Sequence, residues 1–148
     1  MGPGMTRLAI LQARLPADDL RLAAPLDEFA EVMAARGDYE SAVTLGLHSA
    51  RIYDTAHGPR APKVGLAAER LARYSVKAGE IAKAIGCYDQ AVAAKEKNLG
   101  PKDPGLLPLL DEYAAMLRGA KLAKEAERIE AKAKAIRSPS PQPQKPKK

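Results

Sequence analysis

The chain has 148 residues, a net charge of +6, 4% aromatic residues, no tryptophan and one cysteine. That length fits one domain of ordinary size, and a core so poor in aromatics must be built from Ala, Leu, Ile and Val, which favours close-packed helices over a sheet. A lone cysteine excludes an internal disulfide, no Cys/His cluster has metal-ligand spacing, and no run approaches the ~20 apolar residues of a membrane span.

The N-terminal segment places only four apolar residues, Leu8 to Leu11, after Arg7. That is too short for a secretory leader, and the chain reads as soluble and cytoplasmic. A first helix is expected over about 5–14. Helical spacing then recurs over 20–36 and 39–56, 63–78 and 81–98, and 105–118 and 121–136; Ile81, Ala84, Ile85, Tyr88, Ala91 and Val92, for example, share one helical face. Pro25 and Pro108 fall inside two of these stretches. Proline is comfortable only in a first helical turn, so the helices must kink there or begin near residues 24 and 107. The last stretch, "SPSPQPQKPKK" over 138–148, has no apolar anchor and is expected to be extended and disordered. Its "PQKPKK" loosely fits a ligand of proline-motif readers, but a solubilising tail or linker is the stronger reading. Charge is concentrated at this end: residues 1–120 carry 15 Lys/Arg and 15 Asp/Glu, whereas 121–148 carry 9 and 3. Without aromatics to stack on bases, any contact with nucleic acid or an anionic membrane would be nonspecific.

"HGPRAPKVG" at 57–65 and "LGPKDPGLL" at 99–107 repeat one punctuation 42 residues apart. The same shift aligns Phe29, Leu71 and Tyr113, each followed by alanine, and Gly37 with Gly79, each followed by an acid. It also aligns Ala42, Ala84 and Ala126, and then Leu45, Cys87 and Ile129. Each unit therefore reads as a helix (A), a short turn, a second helix (B) and a proline-bearing loop. Gly37 and Gly79 suit a helix end that needs positive φ. A thin helix pair cannot bury its apolar face alone, so such units stack. "TRLAILQARL" falls in the register of a B helix with no A helix before it.

These residues resemble the tetratricopeptide repeat family in its long, 42-residue, kinesin-light-chain-like form, with "LARYSVKAGEIAKAIGCYDQAV" at 71–92 and "LGPKDP" at 99–104 matching most of the pattern. Asp103 stands where the family usually has histidine. The third copy has Lys121 in place of the turn glycine and Glu130 where the second has Tyr88. The resemblance implies an all-α solenoid of about three antiparallel helix hairpins (20–57, 62–99 and 104–137) in a right-handed superhelix, with a partial repeat or cap at 1–19. It also implies a non-catalytic scaffold that takes a protein or peptide segment on the concave face of the A helices.

Carried over by position, the partner-binding candidates are Asp27, Glu28 and Glu31; Glu69, Arg70, Arg73 and Lys77; and Asp111, Glu112 and Arg118. Arg70, Arg73 and Lys77 share one helix face. The same charges are also what the solvated side of any amphipathic helix carries, and they could pair with one another between neighbouring A helices. The single asparagine, Asn98, makes a clamp for a partner's C-terminal carboxylate improbable. The alternative reading is a structural or self-assembling module, or a segment of a larger repeat protein, stacking through its open ends. An enzyme is disfavoured: His48 and His57 have no nucleophile in a triad pattern, Cys87 replaces packing residues, and no glycine-rich phosphate loop exists, so no cofactor or metal is expected.

Overall fold

The structure, a computed structural model, describes the backbone of residues 3–138 and the side chains of 7–138. The proline-rich end at 139–148, expected to be disordered, lies outside the described residues. Among those described there are seven α-helices and no strand. They are α1 Pro3–Arg14, α2 Ala23–Ala35, α3 Tyr39–His57, α4 Pro62–Lys77, α5 Ile81–Leu99, α6 Leu107–Gly119 and α7 Ala123–Arg137.

The two awkward prolines are accommodated by late helix starts. Asp19 and Asp103 each cap a 3-10 turn, Leu20–Leu22 and Pro104–Leu106, by accepting a backbone N–H two residues on, at 2.9 and 2.7 Å. The α-helices begin only afterwards, at Ala23 and Leu107, so Pro25 and Pro108 sit in first turns where no intrahelical N–H is required. The middle repeat needs no such turn, because Pro62 itself is the first residue of α4.

All three A helices end in the same turn. Gly37 and Gly79 have φ of +82° and +79°, and the next residue's N–H bonds back to Met33 and Ser75 at 2.9 and 2.8 Å. Lys121, in the same register, has φ +63°, and Leu122 bonds back to Leu117 at 2.9 Å. The third repeat thus keeps the glycine turn without the glycine, and α7 starts at 123 rather than 121.

The chain divides into two compact units, between Asn98 and Leu99. In the first, α3 has two working faces. Ile52 clusters with Leu8, Leu22, Ala23 and Leu26, flanked by Leu11, Leu15, Phe29 and Leu45. Val43 and Ala50 cluster with Ala67 and Leu71 of α4, with Leu47, Tyr74 and Cys87 packed against them. Helices α4 and α5 touch at their smallest residues: a Cβ built on Gly65 would stand 2.9 Å from that of Ala94. In the second unit, α6 buries Leu109, Leu110, Tyr113 and Leu117, and α7 buries Ala126, Ile129, Ala133 and Ile136. The rest of α7 is solvated, the amphipathic pattern its sequence carries.

Candidate functional site

The candidate residues lie on A helices, on α2 and α4 in the first unit and, separately, on α6 in the second. Most of them are engaged within the protein. Asp27 is the hub of the first unit. Its Oδ1 accepts the Ser49 hydroxyl at 2.5 Å, and its Oδ2 accepts the Tyr53 hydroxyl and the Arg70 guanidinium, both at 3.1 Å. Ser49 is fully buried. One carboxylate therefore ties α2 to α3 and to α4. Burial, and then the Asp27 charge, push the Tyr53 phenol above its ordinary value. Tyr74 on α4 is raised in the same direction, by burial first and then by the charge of Glu31.

The other candidates follow suit. Glu28 accepts from Arg7 of α1 at 3.3 Å. Glu69 is buried, with Arg73 at 3.6 Å and Lys95 of α5 at 3.9 Å, while its Oε2 accepts no hydrogen bond from the described residues. In the second unit Asp111 pairs with Arg137, and Arg118 donates to both oxygens of Glu130 at 3.0 and 2.6 Å. That fork holds the Glu130 carboxyl below its usual range and raises Arg118. Glu112 is half-buried and not free. Glu31 and Lys77 remain: both are exposed, and neither has an ion pair or hydrogen bond among the described residues. Arg70, Arg73 and Lys77 share a helix, but the first turns to Asp27 and the second to Glu69, leaving Lys77 as the outward cation.

A regularity unites three of these pairs. The acids at 27, 69 and 111 are one repeat apart, and each is met by a B-helix residue 26 positions later: Tyr53, Lys95 and Arg137. Sequence reasoning missed these three partners because they are three different residue types, a phenol and two cations. The signal was nevertheless available, as an acid repeating every 42 residues with a phenol or cation at a fixed offset.

The remaining polar candidates are also accounted for. Asn98 turns its amide onto the carbonyls of Arg60 and Ala94, at 3.0 and 2.7 Å, bracing the loop before α4. His48 Nε2 lies 2.9 Å from the Ala17 carbonyl, and His57 stacks on Tyr53 with ring centroids 6.4 Å apart. Burial pushes the Cys87 thiol up to about 11, the state of an inert packing residue. Among the described residues no group of three or more His, Cys, Asp or Glu is placed to hold a metal, and no helix is long and apolar enough to cross a membrane. An open cleft of about 440 Å³ is lined by Phe29 and Met33 of α2 and by Glu40, Ser41, Thr44 and Leu45 of α3; none of the ten charged candidates lines it.

The profile of the tetratricopeptide repeat matches residues 20–97, over half of the chain. The chain belongs to the tetratricopeptide repeat family. Among solved structures it is similar to a Podosopora anserina protein described as a kinesin light chain with nearly identical TPR-like repeats, at a TM-score of 0.76 and 23% identity over 90% of this chain. A variant of that protein gives 0.75 and 23%, also over 90% of this chain. The chain spans 64% and 63% of the length of those two. At that identity the likeness establishes the fold. No curated protein matches. Tetratricopeptide repeats are in general protein–protein interaction modules, typically non-catalytic.

Proposed function

We propose that this tetratricopeptide repeat chain is a non-catalytic scaffold that binds a peptide or protein segment on the outward, concave face of its A helices. One observation carries the reading further than family membership does: once internal pairs are removed, the candidate surface retains an acid on α2, Glu31, and a cation on α4, Lys77. Exposed apolar residues accompany both, Val32 beside Glu31 at 38% exposure and Leu66 on α4 at 53%. Such a face suits a segment of mixed charge with an apolar anchor. A carboxylate-clamp ligand suits it poorly, because the one asparagine is engaged in a loop.

Charge reversal tests this. Glu31→Lys and Lys77→Glu touch no internal pair, so each should leave thermal stability within about 0.5 kcal/mol of the parent. Capture of a partner retained by the parent chain should nevertheless drop. Undiminished capture by the double variant would remove the A-helix face from consideration.

A further inference from the structure

We propose that the groove between α2 and α4 seats a basic side chain, lysine or arginine, of the bound segment, its cation held by the carboxylate of Glu31 and the phenol oxygen of Tyr74. The inference rests on the reading of the A helices as the binding surface, and it names the chemistry of one position in that surface.

Helices α2 and α4 are successive A helices packed on the same α3 and run the same way, so contacts between them recur turn by turn. Asp27 of α2 meets Arg70 of α4 at 3.1 Å. Four residues further along each helix, one turn on, Glu31 comes opposite Tyr74. Glu31 is close enough for its charge to raise the Tyr74 phenol. An acid met by a guanidinium at the first position is thus met by a phenol at the second. Glu31 is exposed and Tyr74 half-buried, and neither side chain makes a hydrogen bond or ion pair among the described residues. The cations around them do not fill the gap: Arg70 is committed to Asp27, Arg73 to Glu69, and Lys77 makes no ion pair with Glu31.

An exchange of bulk between repeats brings the phenol here. In the 42-residue register Tyr74 stands where α2 has Val32 and α6 has Met116, and Gly46 stands where α5 has Tyr88. A Cβ on Gly46 would lie 3.3 Å from Leu71 and 3.8 Å from the Tyr74 ring. The ring therefore packs over the glycine, against the cluster of Val43, Ala67 and Leu71. A ring already fixed by packing loses little freedom when its oxygen takes up a ligand.

A carboxylate only accepts hydrogen bonds, and a phenol oxygen accepts as well as donates. An ammonium or guanidinium offers several donors together with the charge that balances Glu31. A carboxylate of the segment would meet Glu31 as a like charge, which places it nearer Lys77.

The probe is a random dodecapeptide library displayed on phage and panned on the full chain, after which one enriched peptide is labelled and titrated by fluorescence anisotropy. Enriched peptides are expected to share a lysine or arginine. Affinity should fall about fivefold with Glu31→Gln and roughly two- to threefold with Tyr74→Phe. Replacing the basic residue of the peptide by neutral citrulline or norleucine should cost as much as Glu31→Gln, after which Glu31→Gln should have no further effect. Both protein variants preserve the shape of the parent side chain, and circular dichroism checks that they fold. Binding that is lost with Lys77→Glu but unchanged by Glu31→Gln and Tyr74→Phe would overturn this proposal and leave the A-helix reading standing. A peptide whose acid, rather than its base, is coupled to Tyr74 would overturn it as well. Enriched peptides indifferent to all of these substitutions, or a library without enrichment, would overturn both readings.

Discussion

Asp27→Ala separates a structural charge from a binding one. Removing the carboxylate leaves the Ser49 hydroxyl without its acceptor, and that group is fully buried. An unsatisfied buried hydroxyl costs about 1–3 kcal/mol, and loss of the half-buried Tyr53 bond adds roughly 1 kcal/mol. The Arg70 pair adds at most about 1 kcal/mol, because the arginine side chain is 37% exposed and solvent screens it. The total is about 3 kcal/mol. For a unit of this size that corresponds to a fall in Tm of roughly 10–20 °C. Urea unfolding followed by far-UV circular dichroism measures it directly. Asp27→Asn, which keeps one acceptor, should lose about half as much. A double-mutant cycle with Ser49→Ala should show a coupling of about 1 kcal/mol or more. A loss below about 0.5 kcal/mol for Asp27→Ala, the value usual for a surface charge, would refute the network and return Asp27 to the groove residues.

Three further outcomes are expected. Lys121→Gly should stabilise the second unit by about 0.5–1 kcal/mol, because a left-handed conformation costs a side-chain-bearing residue about 1–2 kcal/mol and the glycine's extra unfolded-state entropy returns part of that; Lys121→Ala should gain little, and thermal melts of the two variants compare them. The bidentate Arg21 contact holds the Asp19 carboxyl down at about 2, against an ordinary 3.8. Its contribution is therefore full above about pH 4 and is lost as pH falls towards 2, and Asp19→Asn should flatten the dependence of Tm on pH in that window. Cys87, partly buried and with its thiol raised to about 11 from an ordinary 9.0, should react with iodoacetamide at about pH 8 roughly a hundredfold more slowly than an unhindered thiol, and labelling of the native chain at the rate of a free thiol would contradict its placement against α4.

The architecture was legible because its determinants are local and repeated. Gly37 and Gly79 mark helix ends by backbone geometry, and the apolar spacing of α5 needs only a helical period. Even the departures had local causes: Asp19 and Asp103 cap short turns that let Pro25 and Pro108 begin helices, and Lys121 adopts the conformation of the glycine it replaces because the surrounding turn imposes it. The candidate surface was less legible. A charge on a helix face looks the same in sequence whether it points to solvent or to a neighbour, so Asp27, Glu69 and Arg70 could be placed on A helices, with pairing between neighbouring A helices as one alternative; the Asp27–Arg70 pair follows that alternative. The other pairings depend on distances between helices, which set Tyr53 against Asp27 and Lys95 against Glu69.

The claim that partners bind on the A-helix face is tested most directly by site-specific photo-crosslinking from three positions of the folded chain, residue 77 on α4, residue 31 on α2 and residue 51 on α3. Mass spectrometry then identifies the adducts. The account predicts that one polypeptide segment is captured from both 31 and 77 and is absent from adducts at 51. Capture of that segment from 51 but from neither 31 nor 77 would contradict it.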